Sequence, residues 1–249
     1  MCFSDDARPP LPPVGGAAAD QGDFELTAAD GTNYMAYFAR AAEPTGAGMV
    51  VMPDVRGLHT FYKELAQRFA EAGIDAVAID YFGRTAEHGP RDEGFEFRPH
   101  VEKTTPDGIA ADVRSAAEFL RSGQMGDVRA VFTVGFCFGG AQSWRQSAAG
   151  HGLAGCVGFY GVPSRVRDVI PQMTSPLLLL VAGADFTPLE EFQKFDGELA
   201  DAGVEHRMVV YDGAPHSFFD RTFAEHQEAC ADAWQQILDF VKAHTGAAV

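Results

Sequence analysis

Ala130-Val131-Phe132-Thr133-Val134-Gly135-Phe136-Cys137-Phe138-Gly139-Gly140 is an apolar run that ends in a cysteine flanked by glycines. A strand over 130–134 followed by a helix from about Gly139 makes a sharp turn with one nucleophilic side chain at its tip. Such a turn strains the backbone of the tip residue, and neighbours without a Cβ avoid clashing across the bend. It also sets Cys137 at a helix N-terminus, where unpaired N–H groups and the helix dipole favour a thiolate. The N–H of Phe138, the residue after the nucleophile, is then expected to face a developing oxyanion. A buried structural cysteine at a glycine turn is the competing reading of the same residues.

On either side of this turn, apolar runs alternate with helical patterns. Runs at 49–52, 76–79, 156–159, 177–181 and 208–211 are interleaved with helices expected at 61–72, 109–120, 189–200 and 224–241. Continuous apolar runs between amphipathic helices predict an α/β chain with a mostly parallel central sheet and helices on both faces. Phe24-Leu26 and Tyr34-Phe38, separated by Ala29-Asp30-Gly31-Thr32, read as an opening hairpin. Residues 1–21, rich in Pro, Gly and Ala, read as a flexible arm, leaving 22–249 as one domain. The charged, Gly- and Pro-containing segment from Phe82 to Asp107 is long for a connection and reads as a lid or pocket wall.

In a sheet of this kind an acid and a histidine should follow the nucleophile in chain order, each just past the C-terminal end of a strand. Gly183-Ala184-Asp185 directly follows the run 177–181, and Asp185 is placed to hold a histidine in one tautomer; capping the next helix is its alternative role. Asp212-Gly213-Ala214-Pro215-His216 follows the run 208–211 and brings His216 to the same sheet edge. Of the eight histidines, His206 precedes its strand, and His226 and His244 fall in or after the last helix, so position selects His216 as the base.

The chain carries 35 acidic against 19 basic residues, a net charge of −16. That field disfavours nucleic acid and anionic membrane surfaces as partners. The acidic start Met1-Cys2-Phe3-Ser4-Asp5-Asp6 lacks the basic and apolar regions of a signal peptide, which suggests a cytoplasmic protein. Four widely spaced cysteines predict neither a disulfide framework nor a structural metal, and no cofactor is expected.

Together, Val51-Met52-Pro53-Asp54-Val55-Arg56-Gly57, Asp80-Tyr81-Phe82-Gly83-Arg84, the Cys137 turn, Gly183-Ala184-Asp185 and Tyr211-Asp212-Gly213-Ala214-Pro215-His216-Ser217-Phe218 resemble the dienelactone hydrolase (carboxymethylenebutenolidase) family of the α/β-hydrolase fold. The resemblance implies a second oxyanion N–H from Val55. It implies an acid that contacts the resting thiol, a position filled by Asp54 where the family usually has glutamate. It further implies that Arg84 and Arg221 clamp a substrate carboxylate, with Ser217 beside them, although Arg221 lies one residue farther after the histidine than the pattern expects.

Cysteine chemistry narrows the substrate. A thiolate normally leaves a tetrahedral intermediate more readily than an alkoxide, so an alkyl ester would collapse back, whereas an enol lactone releases a stabilised enolate. The expected partner is therefore a small lactone or activated ester, carboxylate-bearing if the two arginines act as the resemblance implies. Alternatives are an esterase or thioesterase of the same fold acting on another activated ester, and a non-catalytic binding module on this scaffold. The oligomeric state is not legible in the sequence.

Overall fold

The apolar runs become a single eight-stranded sheet in the computed structural model, which describes residues 4–220 and 223–246. The strands are β1 (Ala18–Thr27), β2 (Asn33–Ala41), β3 (Ala47–Met52), β4 (Ile74–Ile79), β5 (Ala130–Phe136), β6 (Gly155–Phe159), β7 (Leu177–Ala184) and β8 (His206–Pro215). Their order is β1-β2-β4-β3-β5-β6-β7-β8. The opening hairpin is antiparallel and joins the sheet antiparallel to β4. All later pairings are parallel.

Parallel strands covered on both faces alternate their side chains between two cores. In β3, Met49 and Val51 enter the core under α1 (Thr60–Glu71) and α6 (Gln227–Thr245). Val50 and Met52 enter the opposite core, under α3 (Pro106–Arg121), α4 (Phe138–Gln146) and α5 (Leu189–Asp201). Large side chains fill both layers: Phe61, Phe69 and Trp234 on the first face, Trp144, Phe192 and Phe195 on the second. Burying each contributes on the order of 2–3 kcal/mol, enough to hold the strand ends in one geometry.

One expectation is corrected, and another gains detail. The opening hairpin begins at Ala18, inside the segment read as a flexible arm, and the residues before it pack on the body. Pro9 and Pro10 are buried, and the Trp234 indole N–H donates to the Pro10 carbonyl at 3.1 Å. Asp5 accepts from the buried Arg56 guanidinium at 2.7 Å. Prolines give up little conformational entropy on ordering, so a Pro-rich stretch can dock as an extended strap.

The segment from Phe82 to Asp107 also holds structure that composition concealed, a short helix α2 (Arg98–Lys103). Arg91 pairs with buried Asp80 at 2.8 Å and lies 4.5 Å over the Phe95 ring, which stacks on His100. The segment is thus anchored. Its residues His88 to Asp92 wall a cleft of about 610 Å³ opposite Leu58, His59 and Lys63, and none of Cys137, Asp185 and His216 lines that cleft.

Candidate active site

β5 ends at Phe136 and α4 begins at Phe138, so the whole reversal falls on Cys137, at φ 54° and ψ −111°. The glycines make this approach feasible. A Cβ on Gly135 would lie 1.9 Å from the Gly139 carbonyl oxygen, and one on Gly139 only 2.3 Å from the carbonyls of Met52 and Pro53. The second contact shows how tightly the turn seats against the end of β3. The Cys137 N–H donates to the Phe159 carbonyl at 3.1 Å, tying the turn to the end of β6 as well.

Sheet register brings Asp185 and His216 together. Ala184 of β7 pairs with Pro215 of β8, so the next residue of each strand, Asp185 and His216, emerges side by side. His216 Nδ1 and Asp185 Oδ2 are 2.8 Å apart, with the carboxylate side chain 1% exposed. Asp185 Oδ1 accepts from the Thr187 N–H at 3.1 Å, which fixes the carboxylate plane. Cys137 is the other side chain whose interaction acts on the imidazole.

Burial alone would lower the pKa of His216. The hydrogen bonds to Asp185 and Cys137, with the charges behind them, prevail and push it up to about 10. The arrangement therefore favours the imidazolium form of His216 beside Asp185 and Cys137.

Backbone strain concentrates here. Cys137, Tyr160 and Ser217 are the non-glycine residues with positive φ among the described residues. Tyr160, at the end of β6, packs its ring 4.8 Å from the His216 ring, and Ser217 follows His216 directly. Ser217 is buried, and its left-handed conformation at φ 63° turns the chain away behind the histidine. Phe186 covers the opposite side of His216 at 4.4 Å and is itself 70% exposed, so the imidazole is held between an inner and an outer aromatic ring.

Val55 and Phe138 occupy adjoining ends of β3 and α4. Tyr81, fully buried, sets its hydroxyl against the carbonyls of Pro53 and Asp54, the latter at 2.9 Å. In a trans peptide the C=O and N–H point in opposite directions. Anchoring the Asp54 carbonyl to Tyr81 thus aims the Val55 N–H away from Tyr81. Asp54 is fully buried, and its Oδ1 accepts from the Arg56 N–H at 2.9 Å.

Arg84 departs from the expectation. Arg84 is occupied by protein carboxylates: its Nε and Nη2 bracket the buried Asp112 at 2.9 and 2.8 Å, and Nη1 reaches Asp30 at 2.6 Å. A fork already satisfied on both sides has no donors left for a substrate carboxylate, which argues against a clamp at this position. Arg221 lies outside the described residues. Another guanidinium, that of the exposed Arg165, sits 5.8 Å from the Phe138 ring. Sequence reading had no signal for it, nor for Tyr81, Tyr160 and Phe186 as parts of the site. Among the described residues no three His, Cys, Asp or Glu side chains are grouped to hold a metal, and no helix is long and apolar enough to cross a membrane.

Several known proteins are similar to this chain over most of its length. A Yersinia pestis protein provisionally named a carboxymethylenebutenolidase is 27% identical over 233 residues, covering 88% of this chain and 87% of its own. A Bradyrhizobium protein provisionally named a 2-oxo-3-(5-oxofuran-2-ylidene)propanoate lactonase is 27% identical, covering 86% and 92%. The crystal structure of a provisionally assigned dienelactone hydrolase from Klebsiella pneumoniae superposes with a TM-score of 0.75 at 24% identity, over 90% of this chain and 99% of that one, and shares its α/β-hydrolase fold. The model of the dienelactone hydrolase family matches residues 35–245, and the chain belongs to that family.

Proposed function

We propose that this hydrolase of esters or lactones works through Cys137 as nucleophile, His216 as base and Asp185 as the group that orients it, and that it opens an enol lactone or a similarly activated ester. The observation that carries this reading is His216, 2.8 Å from Asp185 on one side and next to a strained Cys137 on the other.

The thiol proton passes to His216, and the Cys137 sulfur adds to the lactone carbonyl carbon. The oxyanion so formed is received by the N–H groups of Phe138 and Val55, the latter aimed by Tyr81. Collapse breaks the ring C–O bond and releases an enolate, which takes the proton held by His216, while the acyl group stays on sulfur. A water molecule, deprotonated by the now neutral His216, then adds to the thioester; the C–S bond breaks, the carboxylic acid leaves, and the proton on His216 returns to sulfur. Asp54 belongs to the same wall, from which its charge can act on the thiol.

For a substrate carboxylate, the exposed Arg165 beside Phe138 takes the place that Arg84 cannot fill. The occupied Arg84 and the exposed Phe186 ring over His216 also favour a second reading, a neutral activated ester with an apolar group resting on Phe186. Following dienelactone opening and aryl ester cleavage by absorbance in wild type, Cys137→Ser and His216→Ala tests both. Turnover lost in both variants supports the triad, and the preferred substrate decides between the readings. Full turnover by Cys137→Ser would overturn the acyl-enzyme mechanism.

A further inference from the structure

The turn that carries the Val55 N–H is held from a distant part of the chain. Arg56, the next residue, is 2% exposed, and its guanidinium meets the carboxylate of Asp5, fifty-one residues earlier, with Nη2 2.7 Å from Oδ1. The same Nη2 reaches the Arg91 carbonyl at 3.4 Å. Asp5 Oδ1 gathers two further donors. His59 Nδ1 accepts from the Phe61 N–H at 3.0 Å as the N-cap of α1, so its proton is on Nε2, which donates to Asp5 Oδ1 at 3.1 Å. The Glu93 N–H donates to that oxygen at 2.9 Å, and Glu93 Oε1 in return accepts from the Asp5 N–H at 3.1 Å. One carboxylate oxygen thus joins the turn after β3, the start of α1 and the segment 82–107.

The turn itself has little slack. The Arg56 N–H donates to Asp54 Oδ1 at 2.9 Å, the Gly57 N–H to the Asp54 carbonyl at 3.2 Å, and the His59 N–H to the Gly57 carbonyl at 2.7 Å. Gly57 adopts φ 79°, and a Cβ there would lie 2.8 Å from Asp80 Oδ1. In a turn bonded this closely, a shift of Arg56 is passed on to the peptide before it. Val55 is therefore bracketed, by Tyr81 on the preceding peptide and by Asp5 on the following residue. Asp5 has a firm base, because Pro9 and Pro10 behind it are buried and the Pro10 carbonyl accepts from Trp234.

We propose that Asp5 is a positioning residue of the oxyanion hole: through Arg56 it clasps the 54–57 turn, so that the N-terminal strap sets the aim of the Val55 N–H. The inference rests on Val55 being an oxyanion donor. Asp5 touches no reacting atom and acts through Arg56. A buried guanidinium deprived of this carboxylate turns towards water and takes the turn with it.

Steady-state cleavage of para-nitrophenyl acetate is compared in wild type, Asp5→Ala, Asp5→Asn, Tyr81→Phe and the Asp5→Ala/Tyr81→Phe double variant, with circular dichroism to check folding. Alkylation of Cys137 by iodoacetamide, which forms no oxyanion, is the second rate. Outright removal of an oxyanion donor costs about 10²–10³ in kcat, so Asp5→Ala, which only misaligns one, is expected to lower kcat about tenfold with KM little changed. Asp5→Asn, which keeps an acceptor without the charge, should show a smaller loss in the same sense. The alkylation rate should stay at its wild-type value. Because both anchors act on one N–H, the double variant should lose less than the product of the two single losses. Wild-type kcat in both Asp5 variants beside a slow Tyr81→Phe, an alkylation rate that falls along with kcat, or fully multiplicative losses would overturn the clasp while leaving Val55 in the oxyanion hole. Wild-type kcat in Tyr81→Phe would instead overturn the oxyanion reading on which the clasp depends.

Discussion

Replacing Tyr81 by Phe removes one oxygen from the centre of the site and little else. The Tyr81 ring is edge-on to Phe82 at 5.0 Å and to Phe138 at 5.6 Å, and a phenylalanine keeps both contacts. What is lost is the donor to the Pro53 and Asp54 carbonyls. The Asp54 carbonyl retains the Gly57 N–H at 3.2 Å, so the deficit falls mainly on Pro53. One buried carbonyl left short of a donor costs about 2 kcal/mol, or about 4–8 °C in Tm for a chain of this size. The catalytic effect is separable. With its carbonyl less firmly anchored, the Asp54–Val55 peptide can tilt, and the Val55 N–H no longer points at one place. Complete loss of an oxyanion donor costs about 10²–10³ in kcat, so a misaligned donor should cost about 10–100-fold. KM should change little, because the interaction strengthens only as the oxyanion forms. Steady-state kinetics beside thermal unfolding separates the two effects. A variant with lowered Tm and wild-type kcat would refute the assignment of Val55 to the oxyanion hole through Tyr81.

Asp185→Asn should leave the fold intact and lower kcat by about 10⁴, because an amide cannot hold His216 in the required tautomer and charge state; stopped-flow hydrolysis with circular dichroism checks this, and a loss of less than tenfold would speak against the triad. Arg84→Ala should act on stability rather than on KM. It strands the buried Asp112 carboxylate, at a cost of about 3–5 kcal/mol near pH 8. The Asp112 pKa is already pushed up by burial to about 6, against the pull of Arg84, so the folded state binds this proton more readily than the unfolded state. Stability from this group is therefore present at low pH and lost as pH rises through that value. Without Arg84 the pKa rises further and the deficit shrinks below about pH 5, where the acid is neutral. Urea unfolding at both pH values tests this, and a raised KM for carboxylate substrates with unaltered stability would restore the clamp reading.

The placement of Cys137 on a strand-to-helix turn and of Asp185 and His216 side by side was legible because each depends on a local pattern. The glycines around Cys137 are required by contacts of 1.9–2.3 Å within the turn and to β3, and Asp185 and His216 each follow a strand whose apolar run is visible by itself. The errors arose where a residue's partner lies far along the chain. Arg84 looks like a free cation until α3 delivers Asp112, and the Pro- and Gly-rich beginning looks unstructured until Trp234 meets Pro10. Periodicity reports which face of an element is apolar, not which charge will meet which.

The most direct test of the account is to quench a reaction with an activated ester within its first turnovers and to look for the acyl group by mass spectrometry. The account predicts a mass increase equal to the acyl group on the peptide bearing Cys137, which accumulates in His216→Ala if deacylation is the slower step left to that variant. It predicts no such adduct and no turnover in Cys137→Ala. An acyl group on another residue, or sustained turnover by Cys137→Ala, would contradict it.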